Sequence, residues 1–91
     1  MGMASISSTE VLGAAGRALY GERWQTELSR DLGIGDRTMR RWVAGEYEPP
    51  NRVWRDLHAK LLARLQVIRD AQRRVLMWIG ETDQLKAEER A

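Results

Sequence analysis

Apolar residues along this chain recur at spacings of three, four and seven, and no alternating β-branched run exceeds three residues. That pattern predicts helices and no strand. Val11, Leu12, Ala15 and Leu19 make one face of a first helix, which Ser8 or Thr9 can cap and Glu10 can favour from its opening turn. Gly13 and Gly16 fall inside it and weaken it as an isolated helix, which points to close packing there. Gly21 is expected to end it. A second helix is predicted over about Gln25 to Leu32, with Leu28 and Leu32 one turn apart on its buried face. Gly33 follows, where a helix commonly ends in the left-handed conformation. Ile34 then points inward. Gly35 and Asp36 open a third helix that stops before Gly45, and Glu46 to Pro50 is a loop, because each proline restricts the residue before it.

From Asn51, a good cap, no breaker appears before Gly80. Those 29 residues would span about 43 Å as one helix. The expected organisation is a loose leader over 1–7, a compact unit over 8–60, the distal part of the long helix over 61–80, and a polar tail over 81–91. Residues 82–91 read either as a frayed last helix or as that tail.

Two short helices joined by a tight turn need a small residue where they cross, a glycine at the turn, and apolar residues closing the angle. In QTELSRDLGIGDRTMRRWVAG (residues 25–45), Ser29 is the small residue and Gly33 the turn glycine, while Leu28, Leu32, Ile34, Met39 and Trp42 close the angle. This is the pattern of a helix-turn-helix. On these residues the chain resembles the lambda-repressor-like family of phage and bacterial regulators, across roughly residues 9–60. The resemblance implies an all-α, lambda-repressor-like bundle, here with a long C-terminal helix. Two positions depart from it: Trp24 stands where the family often has a Ser or Thr cap, and Gly35 where a Ser cap commonly precedes the recognition helix. The glycine costs only a few tenths of a kcal/mol.

At about 100° per residue with Met39 set to zero, Trp42 falls near 300° and Val43 near 40°, so these three face inward. Arg37, near 160°, and Arg41, near 200°, lie opposite the core, with Arg40 on a flank near 100°. Two arginines a turn apart on the outer face suit docking in a major groove. Arg37 can bind guanine bidentately, Asp36 can accept from a cytosine amino group, and Thr38 can touch a thymine methyl or a phosphate. The family resemblance implies base contacts from Asp36, Arg37 and Arg41, and a phosphate contact from Gln25. The DNA-facing set is thus Gln25, Gly35, Asp36, Arg37, Thr38, Arg40 and Arg41. The competing structural reading is a solvated arginine face, with Asp36 serving only the helix N-terminus.

Composition sharpens this picture in a few places. The chain has no cysteine and one histidine, His58, which excludes thiolate chemistry, disulfides and a histidine-rich metal site. No catalytic triad order or phosphate-binding glycine loop appears, so neither an enzyme nor a cofactor is expected. Arginine outnumbers lysine thirteen to two, a bias toward phosphates and guanine edges. Residues 51–80 carry a net +5 and residues 81–91 a net −2. The longest uncharged run, Met1 to Thr9, is too short and polar for a signal peptide or membrane span. A cytoplasmic protein without a membrane partner is expected.

Trp54, Leu61, Ile68 and Val75 recur every seven residues, and Leu57, Leu65, Ala71, Trp78 and Ile79 broaden the line into a stripe. Sevenfold spacing favours contact with another helix. The expected partners are double-stranded DNA and a second copy of the chain, with Leu61, Ile68, Val75, Trp78 and Ile79 at the dimer contact. A helix broken near Arg69 that folds back is the alternative to the dimer. For function, the expectation is a sequence-specific transcriptional regulator, a repressor by type, docking helix 36–44 in the major groove. The alternatives are the antitoxin half of a toxin pair, with a protein partner on the C-terminal helix, and a helical interaction module without DNA binding.

Overall fold

A computed structural model describes the backbone of residues 6–90 and the side chains of residues 6–82. Most of the leader expected at 1–7, and the side chains of most of the expected polar tail, lie outside the described residues. The chain is all-helical, with four helices and no strand among the described residues: α1 (Ser8–Tyr20), α2 (Trp24–Leu32), α3 (Asp36–Val43) and α4 (Asn51–Arg90). Its contacts divide it into two units, one through Leu61 and one from Leu62 onward.

The first unit follows from the helix ends. Ser7, not Ser8 or Thr9, caps α1: its backbone is extended and its Oγ accepts from the Glu10 N–H at 3.1 Å. The Ser7 carbonyl also accepts the first helical bond, from the Val11 N–H at 3.1 Å, which places Ser8 and Thr9 already inside the helix. Gly21 ends α1, its N–H donating to the Arg17 carbonyl at 2.8 Å. At the end of α2, Gly33 has φ +68°, in the left-handed region. Its N–H donates to the Arg30 carbonyl at 3.2 Å while the Ile34 N–H donates to that of Ser29 at 3.0 Å. This paired closure reverses the chain in two residues and turns Ile34 back onto the core. The end of α3 repeats it, with the Gly45 N–H on the Trp42 carbonyl and the Glu46 N–H on that of Arg41.

The core gathers Leu12, Ala15 and Leu19 of α1, Trp24 and Leu28 of α2, Met39 and Trp42 of α3, and Val53 and Leu57 of α4. One reason α2 begins at Trp24, a residue earlier than expected, is visible here. The indole is buried across Gly16, so closely that a Cβ on Gly16 would come within 2.2 Å of its ring. Trp24 therefore serves packing rather than capping, and the cap position, Arg23, makes no side-chain hydrogen bond. Ser29 is buried and its Oγ has no hydrogen-bond partner. A small side chain is what the crossing needs; its hydroxyl is the cost of supplying it. At the far end of α1, the Tyr20 hydroxyl donates to the Asp31 carboxylate and ties α1 to α2.

Two expectations about α4 are corrected. It begins at Asn51 itself rather than after an Asn51 cap, with the Val53 N–H donating to the Pro50 carbonyl at 2.9 Å. It also runs through Gly80 to Arg90, with no break near Arg69. A lone glycine costs a helix only about 1 kcal/mol. Here Gly80 lacks the left-handed backbone that ends a helix at Gly33, and Gln84 to Arg90 are mostly strong helix formers. Within the second unit no side chain is buried from Leu62 to Thr82. No helix among the described residues is long and apolar enough to cross a membrane.

Candidate nucleic-acid interface

The orientation of α3 is fixed by its inner face. Met39 and Trp42 are 1% and 6% exposed, and Val43 packs half-buried against the same core. That anchoring turns Asp36, Arg37, Thr38 and Arg40 outward, and all four are exposed. Gly35 precedes them as the extended cap residue, without a side-chain bond to the helix. Asp36 sits in the first turn, where a carboxylate is favoured by the helix dipole.

Arg41 departs from the angular expectation. It is half-buried, its guanidinium carbon lying 5.3 Å from the centre of the Tyr47 ring. A helical wheel places residues on a helix but says nothing of the loop beside it. Here the Glu46 N–H bonds back to the Arg41 carbonyl at 2.9 Å, and that bond starts the loop alongside α3 and carries Tyr47 over the arginine. The sequence signal was present in an aromatic six residues after an arginine at a helix end, but the spacing alone does not distinguish a stack from an exposed tyrosine. Arg41→Ala is therefore expected to lower stability by about 0.5–1 kcal/mol, the scale of an exposed cation–π contact. A thermal melt checks this; a loss of several kcal/mol would mean that Arg41 is part of the core.

Two adjoining hollows organise the remaining side chains. Arg37, Arg40, Arg41, Ala44 and Glu46 line an open hollow along the outer side of α3. Gln25, Thr26, Ser29, Asp36, Met39 and Arg40 line a groove between α2 and α3. Arg40 borders both, so the structure brings Gln25, Asp36, Arg37, Arg40 and Arg41 onto one polar surface. Thr38 is exposed but lines neither hollow. Thr26 joins the groove without having been singled out in the sequence; its place one residue after Gln25 at the start of α2 was the available clue. Among the described residues, no ion pair engages Arg37 or Arg40, and the Glu27–Arg30 pair, at 3.5 Å, stays on α2. Their charges are thus available to an anionic partner.

The stripe expected at the dimer contact divides. Leu61 packs against the core of the first unit, because it stands one turn beyond Leu57 on the same face. Ile68, Val75, Trp78 and Ile79 are exposed by about half or more of their surface. His58 is exposed, and no group of three or more His, Cys, Asp or Glu residues suited to a metal ion occurs among the described residues. No family model, curated protein or solved structure matches this chain.

Proposed function

We propose that this chain is a sequence-specific DNA-binding transcriptional regulator, a repressor by its family resemblance, with α2 and α3 forming a lambda-repressor-like helix-turn-helix. The observation that carries this reading is the arrangement of α3. Its apolar face is held in the core, while Arg37 and Arg40 stand exposed, with no ion pair among the described residues, beside the Tyr47-stacked Arg41. A helix presented in this way can enter a major groove, where arginine reads guanine edges. Gln25 and Thr26, at the start of α2, are placed to meet the sugar-phosphate backbone from the adjoining groove. Glu46 and Asp36 border the arginines, so they would disfavour indiscriminate phosphate binding and sharpen the choice of site. The proposed action uses no cofactor and no bond chemistry. It is completed by homodimerisation through the exposed part of α4, which would match the two-fold symmetry of a palindromic operator.

Selection from a random duplex library tests this reading. The expected result is enrichment of a short guanine-containing motif, recovered as an inverted repeat if the dimer binds. Recovery of unenriched duplexes after repeated rounds would overturn it.

A further inference from the structure

We infer that the distal part of α4 pairs with a second copy of itself in antiparallel orientation, centred close to Met77. The inference rests on the proposed homodimer and adds its direction and register. From Leu62 to Glu81 every described side chain is exposed, including Ile68, Val75, Leu76, Trp78 and Ile79. With Ile68 and Val75 as the first apolar position of a seven-residue repeat, Ala71 and Trp78 take the second, and Arg74 and Glu81 both fall immediately before the first position of a repeat.

Charge decides the orientation. Residues 64–74 carry Arg64, Arg69, Arg73 and Arg74 against Asp70, a net +3, and precede the uncharged run Val75–Gly80; the residues after that run, 81–91, carry a net −2, beginning with Glu81. Parallel copies in register would lay basic segment beside basic segment and acidic beside acidic. Antiparallel copies lay each basic segment beside the other's acidic one, with the uncharged run at the crossing. When Val75 of one copy packs beside Trp78 of the other, the same register sets Arg74 of each copy next to Glu81 of the other. Two-fold symmetry forms that pair twice. In a parallel pair, Arg74 would instead face the position of Ile79 and Glu81 that of Lys86, so Arg74 would have no opposite charge to meet.

Sedimentation of full-length chains at micromolar concentration tests this with two variants, Arg74→Glu and Glu81→Arg. Each variant alone places like charges together at both positions, and each is expected to raise the dimer dissociation constant by roughly tenfold. An equal mixture of the two restores opposite charges at both positions. It is expected to dimerise within about threefold of the wild type, a rescue that loss of folding cannot imitate. Wild-type dimers with Arg74→Glu dimerising as well as the wild type would overturn the antiparallel register while leaving the dimer standing. A wild-type mass near 10.5 kDa would overturn the dimer itself, and the register with it.

Discussion

Trp42→Ala is expected to destabilise the protein by about 3–5 kcal/mol, the scale for truncating a buried large aromatic. Trp42 is 6% exposed and shares the core with Met39, Leu12 and Leu28. Among the described residues the core contains only nine buried apolar residues, so little remains to collapse into the space the indole leaves. A domain of this size commonly has only about 5–15 kcal/mol of stability in total, so the variant should melt far lower or fail to fold cooperatively. A urea titration followed by the remaining tryptophans measures the loss. A change below about 1 kcal/mol would mean that Trp42 is not packed as described.

The second large effect is expected at Gly16, and its sign is the opposite of what helix propensity alone would give. In a helix interior, alanine is favoured over glycine by about 1 kcal/mol. At Gly16 the added Cβ would lie 2.2 Å from the Trp24 ring, and that ring is itself buried. The indole would have to move within a filled core, so Gly16→Ala should cost about 1–3 kcal/mol net. Gly13, on the same helix, meets only the far end of Arg17, at 3.0 Å. That guanidinium can swing away, so Gly13→Ala should stabilise by about 0.5–1 kcal/mol. Thermal melts of the two variants separate the effects, and equal shifts in one direction would contradict the packing of Trp24 on Gly16.

Much of this fold is legible in the sequence because local rules agree with tertiary needs. The left-handed turn at Gly33, the inward set Leu28, Met39 and Trp42, and the small residue at Ser29 all follow from spacing and residue type. What spacing misses are relations between elements that it cannot register. Glycines in α1 suggest close packing, but nothing local names Trp24 as the partner of Gly16. A helical wheel sets Arg41 opposite the core, yet the loop after α3 brings Tyr47 over it. Gly80 reads as a stop because glycine ends many helices; here the residues beyond it continue the helix and no left-handed turn forms. The candidate site is legible in Arg37 and Arg40 for the same reason the core is, since one helical period sets both faces. The joining of Gln25, Asp36 and Arg40 into a single groove needed the angle between α2 and α3.

If the exposed arginines of α3 read bases, they should do so in a titration that separates base from phosphate contacts. Wild-type protein and Arg37→Ala are titrated onto the selected duplex and a scrambled duplex by fluorescence anisotropy, at low and moderate salt. Phosphate contacts should make wild-type affinity fall steeply with salt on both duplexes. Arg37→Ala should weaken binding to the selected duplex by roughly tenfold or more, the scale of one bidentate guanine contact, while changing binding to the scrambled duplex far less. Equal affinity of the wild type for both duplexes, or an Arg37→Ala variant that keeps the full preference for the selected one, would show that Arg37 does not read a base.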